Sequence, residues 1–536
     1  MHPRRLSLNQ SASIPFDAVI IGGGINGAGI ARDAALRGFR VALFEQADYA
    51  SGTSSRSSKL IHGGIRYLEQ GHLPLVFEAS RERQILERIA PHLVRPLPFL
   101  FPVYQNAKWG KTMIDLGMWL YDLLALFRNI RPHRMLSREE TLQREPELLS
   151  DGLTGAALYY DGQMDDARLC LANVLEAQSL GAMAWNYARV TGVLKDENDR
   201  VTGVKVQDLI SGEEGRVHGK IIVNASGPWV DEVCRMEFPT VPSKLRRTRG
   251  SHLILPSLTR NHALAIRSQK DERVLFVIPW HGMSLVGTTD IDFEGDPGEV
   301  RCPGEDVDYL LSETRRFFPK RGIASKDVIA TFAGIRPLIY SDERKASWVP
   351  RESKIYESES GLISVTGGKF TTYRKMAEKV VDQLQSRLPD VTVGSCTTKS
   401  KPLWGGDLQD LEAYTKEKTT ELGTAYSLDD VQVKHLIASY GTRHARVLDL
   451  VRENKLYGER LHPALPHLKA EVIHSVREEA VVTLADVLRR RSTIALGPYR
   501  TDEGLLSNVI RLMASELGWT QTVIEEQRAD YLREIL

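Results

Sequence analysis

The chain is 536 residues long, 42% hydrophobic and 26% charged, with 70 basic against 69 acidic side chains and a net charge of +1. That length exceeds a single core and suits two or three packed units. The charge balance excludes a bulk nucleic-acid binder but leaves room for a local anion pocket. The four cysteines, Cys170, Cys234, Cys302 and Cys396, form no C-x-x-C pair. They exclude a zinc knuckle or dithiol motif, so no metal site is expected, and they fit a reducing cytosol.

The first fourteen residues hold Arg4, Arg5 and polar residues without an apolar run, and read as a loose tail, not a secretory signal. Phe16 to Ile21 then forms an apolar run that predicts a buried strand. Gly22-Gly23-Gly24-Ile25-Asn26-Gly27 follows at once as G-x-G-x-x-G, Ala28 to Leu36 predicts a helix, and Val41 to Phe44 predicts a second strand ending in Glu45. This is a βαβ unit in dinucleotide-binding order. Gly22 permits the tight turn, Gly24 lets backbone approach a pyrophosphate, and Gly27 allows close helix–strand packing. Glu45 is placed to accept hydrogen bonds from adenosine ribose hydroxyls, which disfavours a 2′-phosphate but does not separate NAD from FAD.

Next comes a hydroxyl-rich stretch from Thr53 through Ser54, Ser57, Ser58 and Lys59 to His62, Gly63, Gly64, Arg66 and Tyr67. Its hydroxyls and backbone suit phosphates, and its end supplies a titratable group, a permanent cation and a phenol; a plain surface loop has the same composition. From Lys108 to Arg134, Met113, Leu116, Leu120, Leu123, Leu124 and Phe127 recur at helical spacing among basic flanks. That pattern fits either an interfacial helix on anionic lipid or a core helix interrupted by Asp115 and Asp122.

Ile221 to Trp229, with Gly227 at its turn, and Leu362 to Gly368 each predict a short strand running into small residues. They suggest a sheet revisited three times, as in FAD oxidoreductases. Between them, Leu253 to Leu255, Val274 to Ile278 and Leu285 to Gly287 predict strands of a second unit. Arg336 sits in the compact apolar setting Ala333-Gly334-Ile335-Arg336-Pro337-Leu338, where an unpaired charge is costly. Past a linker-like stretch from Thr397 to Gly406 the pattern turns helical, with Ile473, Val476, Ala480, Leu484 and Val487 on one face and Arg489-Arg490-Arg491 at its end. The expected architecture is α/β: a Rossmann-like unit over 15–85, 155–240 and 355–395, an interleaved α+β substrate unit over 86–154 and 241–354, and a helical unit over 396–536. No stretch approaches the ~20 apolar residues of a spanning helix.

These motifs together resemble the FAD-dependent, quinone-linked glycerol-3-phosphate dehydrogenases. The resemblance rests on GGGINGAGIARDAALRG, SSRSSKLIHGGIRYLE, MDDARL, NASGPWV, GSHLI, FVIPW, GTTD, GIRPL and GGKFTTYRKMAE. It implies non-covalent FAD, held by Gly22, Gly24, Asn26, Gly27, Glu45, Thr53, Ser54, Ser57, Ser58, Lys59, Gly227, Gly368, Thr371 and Thr372. It implies sn-glycerol 3-phosphate as substrate, surrounded by Arg66, Tyr67, Arg336, Arg351 and Lys369, with His62 near the flavin. The spacing after Arg351 is shorter than in some relatives. The resemblance also implies a membrane quinone as acceptor and a peripheral place on the cytoplasmic face of the inner membrane; a homodimer is left open.

Substrate chemistry agrees. A phosphate of nearly two charges calls for cations, and arginine presents a matching planar fork. Hydride loss from carbon 2 also requires a base for the hydroxyl proton, for which His62 comes first and His252 second, with Arg336 as the cation at the reacting centre. Asp290 either positions a substrate-side group or ends a strand. Two alternatives remain: an oxidase that hands electrons to oxygen, and a non-catalytic FAD-binding sensor.

Overall fold

In the computed structural model of this chain, residues 14–64, 71–105, 107–125, 131–340 and 352–535 are described. The strand Phe16–Ile21 is buried along its whole length and leads into the helix Ile25–Arg37, which stops where Gly38 turns left-handed at φ 103°. The chain then returns as Val41–Phe44, parallel to the first strand. Later segments complete the sheet: Met183–Trp185 pairs beside Val41–Phe44, Glu214–Asn224 beside Phe16–Ile21, and Ile363–Gly367 beside Glu214–Asn224, all parallel. The three returns to one sheet are therefore real. Such parallel strands are covered on both faces, which is why they read as continuous apolar runs and do not alternate. Helices Ile25–Arg37, Asp166–Ser179 and Tyr373–Arg387 supply Ala31, Val174 and Val380 to the shared core.

A second sheet, ten-stranded among the described residues, runs from Leu60–Ile61 through Leu153–Met164, Val94–Tyr104, Ala263–Arg267, Val274–Trp280 and Met283–Gly287 to Leu245–Pro256, which Ala330–Ile339 flanks. Its period of two sorts neighbours to opposite faces. Phe99, Tyr159 and Ile254 join one core with Met118 and Tyr121 of the helix Lys111–Leu124. Leu100, Leu158, Leu253 and Leu255 join the other with Leu310, Leu311 and Phe317 of the helix Gly304–Phe317. Two segments differ from the expected boundaries. Leu60–Ile61 and most of Leu153–Met164 fall in ranges assigned to the dinucleotide unit, yet both hydrogen-bond into this second sheet. The longer strand carries the apolar run Gly155-Ala156-Ala157-Leu158-Tyr159, buried on both faces, which resembles a parallel core strand even though Asp161 and Gln163 follow it.

Six helices from Leu411–Tyr426 to Gln521–Ile535 pack around their own core. Asp410, Asp429 and Asp502 accept backbone N–H groups at the first turns of three of them. The single helix expected through Ile473 and Val487 is broken: Lys469–Glu478 ends, Ala480 takes φ 57°, and a π-helical turn follows at Asp486–Arg491. Arg490 and Arg491 are not a solvated cap. Both are buried and donate to Asp48 at 2.6 and 2.7 Å, and Arg168 donates to Glu479 at 2.8 Å. The break turns these guanidiniums inward onto the dinucleotide unit.

Candidate active site

The cleft between the two sheets begins at the glycine turn. Gly22 has φ +106°, and a Cβ there would lie 2.6 Å from the Ala225 carbonyl oxygen. A Cβ on Gly27 would lie 1.9 Å from the Gly22 carbonyl oxygen, so helix and strand meet only through glycine. At Gly24 a Cβ would meet, within 4 Å and among the described residues, only Ser54 Oγ at 3.2 Å, and Gly24 itself lines the cleft. The wall at this end includes Gly22, Gly24, Asn26, Glu45, Thr53, Ser54 and Gly227. Ser54 Oγ accepts Ile25 N–H at 2.9 Å, and Glu45 accepts Gly23 N–H at 2.7 Å and Ala47 N–H at 2.9 Å. Burial raises the Glu45 pKa even though those two N–H groups favour its ionised form. A glycine turn, a helix N-terminus and a carboxylate at a strand end are the donor and acceptor set that an adenosine diphosphate group needs.

The hydroxyl-rich stretch divides its labour. Thr53 Oγ1 donates to the Ile335 carbonyl, tying the nucleotide end to the strand that carries Arg336. Ser57 Oγ donates to Asp166 at 2.7 Å, and Ser58 Oγ shares a 2.9 Å hydrogen bond with His252 Nε2. Lys59 corrects an expectation. Its buried ammonium donates to Asp166 and to the Ser55 carbonyl and takes no part in the cleft wall. A buried cation must find a counter-ion, and Asp166 of the MDDARL stretch is the nearest one.

At the far end the wall includes His62, His252, Asp290, Arg336, Gly368, Lys369 and Thr371. Arg336 Nη1 donates to Asp290 Oδ1 and to the Thr289 carbonyl, both at 2.9 Å, and Nη2 donates to Thr288 Oγ1 at 2.9 Å. A Cβ on Gly250 would lie 2.4 Å from Nη2, so that glycine makes room for the guanidinium. Lys369 precedes the 3-10 turn Phe370–Thr372, whose Phe370 and Thr371 also line the cleft, and the helix Tyr373–Arg387 follows. Thr371 Oγ1 accepts His62 N–H at 3.2 Å, and Thr372 is buried behind it.

The two histidines differ. His62 is half-buried, its ring 6.4 Å from Phe276. His252 is fully buried and stacks on Phe332 at 4.7 Å. Burial, with Arg336 and Lys59 adding positive charge, holds its pKa well below the usual range, so its imidazole is neutral. Arg66, Tyr67 and Arg351 lie outside the described residues.

Two groups escaped sequence reading. Arg273 lines the cleft just ahead of the strand Val274–Trp280 and outside its FVIPW motif. Asp161 lies beneath the loop of His62 and accepts Gly63 N–H at 3.2 Å and Tyr121 O–H at 2.8 Å, with Arg83 ion-paired to it. No local pattern marks an aspartate whose partners are 40 and 98 residues away.

Comparisons with known proteins bear on the same elements. The family model described as FAD dependent oxidoreductase matches residues 17–374, and that of the C-terminal domain of alpha-glycerophosphate oxidase matches 396–524. A glycerol-3-phosphate dehydrogenase of Synechocystis sp. is 39% identical over 96% of this chain and 95% of its own. An aerobic glycerol-3-phosphate dehydrogenase of Staphylococcus haemolyticus is 36% identical over 97% and 93%. The crystal structure of a Bacillus halodurans glycerol-3-phosphate dehydrogenase complexed with FAD superposes with TM-score 0.80 at 32% identity, covering 98% of this chain and 95% of that one.

Proposed function

We infer the reaction from the premise that this chain belongs to the FAD-dependent oxidoreductase family, among its glycerol-3-phosphate dehydrogenases. It is an FAD-binding protein, and the cleft has the turn, the helix N-terminus and the carboxylate that the cofactor requires. The proposed activity is oxidation of sn-glycerol 3-phosphate to dihydroxyacetone phosphate. The observation that carries it is one continuous cleft joining the glycine turn at Gly24 to Arg336, Lys369 and His62.

Bound FAD supplies a hydride acceptor at N5 for the hydrogen of substrate carbon 2. The remaining work belongs to the chain. Arg336 and Lys369 hold the phosphate, joined by Arg66, Tyr67 and Arg351 from the sequence reading. Asp290, Thr288 and Thr289 fix the plane of the Arg336 guanidinium, which is what bidentate phosphate recognition demands. His62, on the cleft wall, takes the hydroxyl proton; His252, neutral and held by Ser58, is the second candidate. The low-dielectric walls strengthen each of these charge interactions.

The proposed electron acceptor is a membrane quinone. Support comes from the helix Lys111–Leu124, where Met113, Leu116, Trp119 and Leu123 are 50%, 64%, 55% and 53% exposed. Asp115 and Asp122 do not break that face, because both turn aside to His133, at 3.0 and 2.7 Å. Lys108, Lys111, Arg131 and Arg134 flank it, so the complementary partner is an anionic bilayer, here the cytoplasmic face of the inner membrane. No helix among the described residues is long and apolar enough to cross a membrane.

Anaerobic mixing with glycerol 3-phosphate tests the reaction. The flavin absorbance should bleach, and it should recover with a soluble quinone while air yields little peroxide. No bleaching would sink the reading, and rapid stoichiometric peroxide would reassign the acceptor to oxygen.

A further inference from the structure

Beside the cofactor cleft lies a second chamber of about 420 Å3, between the dinucleotide unit and the C-terminal helices. Arg56 and Arg189 face it from one side, Thr483, Arg490 and Gln527 from the other. The acidic groups on the wall are committed. Asp48 accepts from Arg490 and Arg491, Glu534 accepts from Arg489, Asp530 is ion-paired with Arg533 at 3.2 Å, and Asp296 accepts Gly298 N–H at 2.8 Å. Arg56 is not committed. Among the described residues its guanidinium has no hydrogen-bond or ion-pair partner, and its Nε is sealed from solvent. Burial and the charges of Arg489, Arg490 and Arg301 push its pKa down to about 9, even with Glu534 nearby. An arginine kept without a counter-ion amid like charge costs stability unless an anion joins it.

We propose that this chamber is a binding site for a small oxyanion, a phosphate or carboxylate group separate from FAD and substrate, with Arg56 as its principal ligand and Arg189 at its rim. Several groups point to that ligand class. A guanidinium matches the planar or tetrahedral oxygens of such groups, and the hydroxyl of Thr483 and the amide of Gln527 add neutral polar partners to the opposite wall. The bound anion would cancel the repulsion between Arg56 and the C-terminal arginines and so join the two units. Arg56 itself lines both chambers, with Ser51, Gly52, Thr53 and Trp229, so occupancy is expected to be felt at the cofactor.

Equilibrium dialysis of the FAD-loaded enzyme against radiolabelled inorganic phosphate tests the site. One phosphate per chain is expected to persist in Arg336→Met, which removes the substrate-side cation. Arg56→Met is expected to weaken that phosphate at least about tenfold while retaining flavin. Phosphate binding that ignores Arg56→Met, or that vanishes entirely in Arg336→Met, overturns the proposal. So does loss of FAD in place of phosphate from Arg56→Met, which would assign the guanidinium to the cofactor diphosphate. If Arg56→Met does not fold, the exposed Arg189→Gln decides: a roughly twofold to fivefold loss of phosphate affinity is expected, and none overturns the site.

Discussion

Asp48 accepts Arg491 Nη1 at 2.7 Å, an ion pair that closes 443 positions of sequence. Burial alone would raise the pKa of this carboxyl, but the guanidiniums of Arg491 and Arg490 hold it below the usual carboxylate value. It lies three residues beyond Glu45, which lines the nucleotide end of the cleft, so the C-terminal unit braces the chain behind that carboxylate. Asp48→Asn leaves two buried guanidiniums short of charge and should cost about 3–5 kcal/mol. Urea unfolding read by flavin release and by helix content checks this; an unchanged midpoint would show that the brace carries no load.

The glycine turn predicts two different failures. Gly27→Ala drives a Cβ into the Gly22 carbonyl and should impair folding. At Gly24 a Cβ meets only Ser54 Oγ among the described residues, and the backbone at φ −75° suits any residue. Gly24→Val should fold and purify colourless, since its side chain occupies the pyrophosphate position. Full flavin occupancy in folded Gly24→Val would remove the cofactor from this turn.

On the substrate side, Arg336→Met and Lys369→Met should each raise the KM for glycerol 3-phosphate about 10–100-fold, the loss of one charge-assisted contact. Glycerol, without the phosphate, should be turned over very poorly. Equal turnover of the two would end the phosphate-pocket assignment.

His62→Asn should slow anaerobic flavin reduction and flatten its pH profile near neutrality, while protein and flavin content persist. His252→Asn should chiefly cost stability, because the ring is packed on Phe332 and bonded to Ser58. The opposite pattern, with a pH profile altered only by His252→Asn, would exchange their roles.

Acid should destabilise the fold well before carboxylates protonate. His92, His252 and His467 are 2%, 2% and 9% exposed. Burial pulls His92 and His467 down to about 3, and His252 well below the ordinary value. With folded pKa values depressed, the unfolded chain binds more protons. The stability tied to the neutral rings is therefore complete above the unfolded value of ~6.5 and is lost as pH falls below it. At pH 5 the loss should approach about 2 kcal/mol per histidine. A flat urea midpoint between pH 7 and pH 5 would contradict this.

For the exposed helix, changing Lys108, Lys111 and Arg131 to Ser should weaken binding to anionic liposomes and lower quinone reduction. Reduction of a soluble dye should be kept. Loss of dye activity as well would place these residues in the fold and not at a lipid surface.

The dinucleotide unit was legible in the residues themselves. Its signals are local: Gly27, where a Cβ would strike the Gly22 carbonyl of the same turn, a helix immediately after a strand, and an acid at the next strand end. Steric rules of that kind act within some thirty residues and need no distant partner. The strands through Leu253, Val274 and Leu285 were legible for the same reason. What only the tertiary structure decided depends on partners far away in sequence. Lys59 reads as a cofactor-binding residue until Asp166 closes on it, and Arg490 and Arg491 read as the basic end of a helix until Asp48 meets them. The Lys111–Leu124 stripe fits a core or a lipid surface equally well, because periodicity marks an apolar face but not what covers it. Chain folding leaves that face outward, and it turns Tyr121 inward to Asp161, beneath the loop of His62.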